Sequence, residues 1–293
     1  MRRRTAIQAL LLSTASVPFH KGMASIQANA NDPLELKGNI RHSVCSWTYE
    51  FLTLEELCTV AKQIGFSAID LVAPSGFSTL QAQGIHCSMC YTAGKVSLTE
   101  GWNRTENHPW LIKDYLEVIP LIKKAGYENL ICFSGNRNGM NDETGLNNCV
   151  SGLKQILGAA EKNGITVQLE LFNSKVDHKD YMADRSAWGI ELCKRLDSPN
   201  FKLLYDIYHM QINEGDVIRT IQENHHFFGH YHTAGVPGRH EINESQELYY
   251  PAILRAIHQT GYKGFVAQEF IPSATDKAGK IEALKKAIQI CDI

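Results

Sequence analysis

From residue 38 onward the chain alternates short apolar runs with longer amphipathic ones, eight times over. Residues 41–47, 68–72, 86–91, 130–134, 166–171, 202–206, 228–232 and 264–269 read as strands. Residues 54–64, 110–125, 148–163, 185–195, 217–223, 251–260 and 277–290 read as helices, with a shorter, less regular one at 78–83. Several helices run into a glycine suited to a left-handed C-terminal position: Gly65, Gly126, Gly164 and Gly261. The next strand follows each within a few residues. Eight strand–helix repeats over residues 38–293 match a (β/α)8 TIM barrel, which takes about 250 residues. The competing α/β architecture, an open doubly wound sheet, carries a glycine-rich phosphate loop after its first strand. Here that strand runs into Ser46-Trp47-Thr48-Tyr49, with no glycine. No linker or change of composition divides the repeats, so a single-domain barrel is expected.

Ahead of the barrel, Arg2, Arg3 and Arg4 precede a mildly apolar stretch at 6–17 and the A-x-A signal Ala28-Asn29-Ala30. This is the tripartite pattern of an export signal over residues 1–30. The paired arginines fit the twin-arginine route. The expectation is an exported, periplasmic enzyme; the competing reading is a basic tail on a cytoplasmic one. The apolar stretch falls short of the roughly 20 residues a permanent span needs, and no other segment resembles a transmembrane helix. A formal net charge of −2, with no later run of Lys or Arg, supplies none of the basic surface that nucleic-acid binding uses. Eight cysteines are scattered through a chain too long to be a disulfide scaffold. Cys87 and Cys90 have C-x-x-C spacing, but no second pair stands at zinc-site distance, and Cys87 reads as a small buried strand residue.

Catalytic groups of a barrel sit at the C-terminal ends of its strands. Glu170 closes VQLE, Asp206 closes KLLYD, His232 closes FFGHYH and Glu269 closes FVAQE. Four consecutive strands therefore end on oxygen or imidazole ligand types. Three carboxylates and a neutral imidazole suit one divalent ion such as Mn²⁺ or Mg²⁺. Without a cation, that much negative charge at a buried rim is costly. The long segment after the third strand, residues 93–108, has the length of a functional loop over a barrel mouth.

The string Tyr205-Asp206-Ile207-Tyr208-His209-Met210-Gln211 resembles the YDIYHMQ segment of hydroxypyruvate isomerases, in the xylose isomerase-like TIM-barrel superfamily. Leu169-Glu170-Leu171-Phe172-Asn173 resembles the family's E-x-x-N motif. His230-Tyr231-His232-Thr233-Ala234, with Val236-Pro237-Gly238-Arg239-His240-Glu241, resembles its strand-seven stretch. Gly261-Tyr262-Lys263-Gly264-Phe265-Val266, leading to Glu269, resembles its last strand. The resemblance implies that Glu170, Asp206, His232 and Glu269 hold the metal and that Glu170 and Glu269 are the acid/base pair. It also implies that His209 and Arg239 bind substrate oxygens. Two features depart from it. Hydroxypyruvate isomerases often carry Gln where this chain has His232, whereas related ketose 3-epimerases carry His. Ser134-Gly135-Asn136-Arg137 also departs from the usual end of strand four.

Asn173 and His86 are further candidates for substrate contact, although His86 opens its strand, where a buried hydrogen-bonded histidine is the ordinary case. Asp70, within the strand 68–72, stands where relatives commonly have Glu and is a candidate substrate contact. Trp47 and Trp102 line the mouth or merely pack, and His225 and His226 read as solvated helix-end residues. The implied function is a metal-dependent isomerase that moves a proton next to a carbonyl through an enediolate. The alternative is a ketose or keto-sugar 3-epimerase. A nuclease of the endonuclease-IV branch needs three zinc ions, extra histidines and a basic groove. A sugar-binding barrel without catalysis predicts the loss of Glu170 or Glu269, and both are present. The expected partner is a small sugar or hydroxy-keto acid, not nucleic acid, and after signal removal not a membrane; a homo-oligomer is left open.

Overall fold

Eight parallel strands close into a barrel in sequence order. The computed structural model describes residues 33–95 and 97–293, so the expected export segment, 1–30, lies outside the described residues. The strands are β1 (Arg41–Cys45), β2 (Ala68–Val72), β3 (His86–Cys90), β4 (Asn129–Cys132), β5 (Thr166–Glu170), β6 (Phe201–Asp206), β7 (Phe228–Thr233) and β8 (Phe265–Gln268). β8 closes on β1 from Arg41 opposite Phe265 to Val44 opposite Gln268. The helices are α1 (Leu54–Ile64), α2 (Phe77–Gln83), α3 (His108–Ala125), α4 (Asp142–Asn163), α5 (Ser186–Leu196), α6 (Ile207–Asn213), α7 (Val217–Asn224), α8 (Tyr250–Gln259) and α9 (Lys277–Cys291). Pro33–Ile293 is one compact unit, and the expected single-domain TIM barrel is what forms.

The local code is clearest at α1. Thr53 and Glu56 form a reciprocal capping box. Leu57, Cys58, Val60, Ala61 and Ile64 give the helix a buried stripe. Gly65 ends it at φ +110°, with its N–H on Ala61 O. A Cβ there would stand 2.6 Å from Leu34 O, so backbone geometry and space both require glycine.

Most elements begin or end within two residues of the sequence reading, and three differences have a visible cause. β1 stops at Cys45 because Ser46–Tyr49 coils into a 3₁₀ turn. That turn is tied by Ser46 Oγ donating to Leu71 O at 2.9 Å. α4 begins at Asp142, not 148. Its polar first turns hid it, but the Asn141 side chain accepts from Thr144 N, and Asp142 and Glu143 favour the N-terminus. α6 has no counterpart among the expected helices; Asp206 caps it by accepting from His209 N at 2.8 Å. All eight cysteines are buried free thiols. Among the described residues no helix is long and apolar enough to cross a membrane.

Candidate metal centre

Because all eight strands are parallel, their C-terminal ends share one rim. Glu170 is the last residue of β5 and Asp206 of β6; His232 is the last but one of β7, and Glu269 follows β8. Glu170 pairs with Leu204, Asp206 with His232, and His232 with Ala267. The stagger between neighbours lifts each inward-facing group to nearly one level. All four side chains are buried, and one ligand atom from each lies within 4.8 Å of the others.

His232 organises the cluster. Its Nδ1 lies 3.1 Å from Glu170 Oε1 and 3.1 Å from Glu269 Oε2. Neither contact is directed well enough to be a hydrogen bond, so Nδ1 and Glu170 Oε1 are both buried without a partner. They aim at a shared point between the side chains. Its Nε2 meets Asp70 Oδ2 at 2.8 Å. Glu269 is held from two sides: Trp47 Nε1 donates to Oε1 at 2.9 Å and Arg239 Nη2 to Oε2 at 2.6 Å. Arg239 reaches it from a turn in which Gly238 and Arg239 both have positive φ, +93° and +60°. The guanidinium lies over the rings of Trp47 and Tyr208.

These surroundings split the carboxylates. Burial, then the charge of Glu269, pushes Glu170 up to about 7. The same two causes push Asp206 up. Burial also acts against Glu269, but His232 and Arg239 outweigh it and hold that carboxyl well below its ordinary range. Burial opposes protonation of His232, yet Cys45, Glu269 and Asp70 raise its pKa. Three carboxyls and one imidazole thus face one another with their charges opposed by burial and by each other. Two orphaned ligand atoms, an all-oxygen-plus-imidazole donor set and a surplus of buried acid fit a divalent cation.

The residues around the cluster sort differently from the sequence reading. His209 is fully buried, and burial, then the charge of Arg239, holds it neutral. Asn173 Nδ2 stands 2.7 Å from its Nδ1, leaving Nε2 unpartnered 3.8 Å from Asp206 Oδ2. Asn173 itself is occupied. Its amide group donates to Asp177 Oδ2 at 2.6 Å, and its oxygen accepts from the N–H groups of Val176 and Asp177. It shapes the loop behind His209 and has no free group for a substrate. His86 is a correction too. It opens β3 and so stands at the opposite rim, stacked on Phe265 and 4.0 Å from Glu128; substrate in the mouth is out of its reach.

A cavity of about 230 Å³ opens above the cluster, lined by Glu170, Glu269, Arg239 and His178 with Trp47 and Phe172 among its aromatic walls. Asp70 is absent from that lining and fully buried, so it does not meet a substrate. Trp102 is buried away from it, and His225 and His226 form a 3₁₀ turn before β7. His178, stacked on Phe172 with its Nε2 unpartnered, escaped the sequence reading because nothing in its loop distinguishes it.

A family model described as xylose isomerase-like TIM barrel matches residues 58–291. The chain is 32% identical over 137 residues to a putative hydroxypyruvate isomerase of Danio rerio, covering 47% of this chain and 49% of that protein. It is 37% identical over 121 residues to a 2-oxo-tetronate isomerase of Cupriavidus necator, covering 41% and 46%. The matches span about half the length of these curated relatives. The solved apo 3-keto-D-glucoside 4-epimerase of E. coli superposes with a TM-score of 0.72 at 18% identity, covering 86% of this chain and 100% of that one, which is a likeness of fold.

Proposed function

This chain belongs to the xylose isomerase-like TIM barrel family, and on that premise we propose that it is a metal-dependent isomerase of the hydroxypyruvate-isomerase type. The observation that carries the proposal is the pair Glu170 and Glu269. Each has one oxygen 3.1 Å from the same imidazole nitrogen, at the floor of one cavity. Isomerisation of a hydroxy-carbonyl compound moves a proton from the carbon beside the carbonyl to the carbonyl carbon, while the hydroxyl proton passes to the old carbonyl oxygen. Glu269, kept ionised by Trp47 and Arg239, is set to accept the carbon-bound proton; Glu170, on the other side of the same imidazole nitrogen, is its partner in proton transfer. Glu170, Asp206, His232 and Glu269 would hold a divalent cation, which when bound would stabilise negative charge on the substrate oxygens. The unpartnered Nε of Arg239, in the cavity lining, offers a donor to a substrate oxygen, and Trp47 and Phe172 give the cavity aromatic walls; His209 Nε2 is buried outside that lining, 3.8 Å from Asp206 Oδ2.

A second reading, an epimerase of a ketose or keto-sugar, is favoured by the charge around the cavity. Arg239 is the only cationic side chain among the described residues that line it, and that side chain is already tied to Glu269. An uncharged sugar asks for no further cation, whereas the carboxylate of an oxo acid does.

The test is solvent-deuterium exchange, followed by NMR. The substrates are hydroxypyruvate, free ketoses and 3-keto-sugars, with protein loaded with Mn²⁺ or Mg²⁺. Exchange at the carbon beside the carbonyl is expected for one class. Glu269→Gln should cut the rate by about 10²–10⁴-fold while keeping the cation, because an amide oxygen can bind it but cannot take a proton. No exchange with any of the three classes by metal-loaded protein refutes the proposal.

A further inference from the structure

We propose that Asp70 is a positioning residue that makes Nδ1 of His232 the nitrogen presented to the cation. The inference rests on reading the four-residue cluster as a metal centre. Asp70 is fully buried beneath that cluster, and every oxygen it has is committed. Oδ1 accepts from Ser88 Oγ and lies 3.0 Å from His230 Nε2. Oδ2 meets His232 Nε2 at 2.8 Å, with the Cys45 thiol 3.7 Å away. An ionised carboxylate only accepts, so the hydrogen of that contact belongs to His232 Nε2. A neutral imidazole with its hydrogen on Nε2 carries its lone pair on Nδ1. Nδ1 is the atom that stands between Glu170 and Glu269. A ligating histidine whose other nitrogen donates to a carboxylate is held in one tautomer and one ring orientation.

Cys45, Asp70 and His232 also lie close enough together to suggest a second ion. The 2.8 Å contact argues otherwise. Two ligands sharing a tetrahedral ion at bonds of about 2.0–2.1 Å stand roughly 3.3 Å apart, so Asp70 and His232 are joined by a hydrogen.

The backbone is bent to aim Asp70. The register of β2 against β3 shifts on both sides of it, between Ile69 and Asp70 and between Asp70 and Val72. The next residue, Leu71, is held at φ +60°, a region a leucine rarely enters. Bulges of this kind redirect side chains beside active sites, and local strain persists where the surroundings enforce it.

The test uses the full chain stripped of metal by a chelator. Calorimetric titration with Mn²⁺ should show Asp70→Asn binding about 10–100-fold more weakly than the wild type. Ser88→Ala, which removes one neighbour of Asp70 and leaves the contact to His232, should stay within about threefold. Nitrogen-15 spectra of the wild type loaded with Mg²⁺ should show His232 with its hydrogen on Nε2. They need no variant, so a variant that fails to fold leaves the inference testable. Asp70→Asn binding Mn²⁺ as tightly as the wild type, or a loaded His232 with its hydrogen on Nδ1, overturns the inference and leaves the metal centre standing. A wild-type chain that binds neither Mn²⁺ nor Mg²⁺ overturns both.

Discussion

Glu170 and Glu269 are the same side chain at matching places on two strands, yet their neighbours divide them. Glu170 Oε1 has no hydrogen-bond donor, while Glu269 has an indole and a guanidinium. The ordinary pKa of 4.5 rises to about 7 for Glu170, through burial first and the charge of Glu269 second. Stability associated with that group is therefore complete below the unfolded pKa and is lost as pH climbs through the folded one. Glu170→Gln should make the metal-free protein more stable than the wild type at pH 8, by on the order of 2–3 kcal/mol. The advantage should fade by pH 4.5. Urea melts of chelator-treated protein across that range measure it; equal midpoints at pH 8 mean that Glu170 is ionised at little cost. The same burden suits a cation site, because a group that weakens the empty fold gains most when the ion arrives.

At the scale of elements, the segment between β3 and α3 is docked onto the end of β4. Trp102 N donates to Phe133 O at 3.1 Å, Asn103 N to Ser134 O at 2.9 Å, and Asn136 N to Thr99 O at 2.9 Å. Trp102 is fully buried beneath it. Gly101 allows the close approach: a Cβ there would stand 2.3 Å from Ser134 C and 2.4 Å from Phe133 O. All of these obstacles are backbone and cannot swing aside. Gly101→Ala should cost about 1–3 kcal/mol. Leu98 of this segment and Phe133 both line the cavity, so the variant should also raise KM more than it lowers kcat. Denaturant midpoints and steady-state kinetics test the two effects separately, and an unchanged midpoint means that the segment is free to shift. The length of residues 93–108 marked the segment as a loop over the mouth; the glycine's role was hidden, because the atoms it would strike are more than thirty positions away.

For the whole molecule, the proposed cation would couple the site to the stability of the barrel. Its proposed ligands lie on four consecutive strands that only the closed barrel brings together, so an ion at 100 times its Kd should add about 2.7 kcal/mol. For a barrel of this size that corresponds to a rise in Tm of roughly 5–10 °C. Chelation should reverse it; a Tm indifferent to Mn²⁺ and chelator is evidence against the centre. The barrel and the four rim residues were legible because both depend on local regularities. Hydrophobic period and glycine stops mark each strand and helix, and strand direction alone says which residue reaches the catalytic rim. His86 shows the same rule working in reverse, since a residue that opens a strand belongs to the other rim. Chain spacing was silent about partners. Asp70 and His232 are 162 positions apart, and Trp47 and Glu269 are 222 apart. Asn173 follows Glu170 closely in the chain, yet its loop uses every donor and acceptor its side chain has. The sequence by itself determined which side chains reach the rim. Only the tertiary structure decided which of the carboxyls is desolvated without a donor, which nitrogen of His232 stands between Glu170 and Glu269 and which polar groups are left free, because desolvation and hydrogen bonding depend on distances through space that barrel closure alone creates.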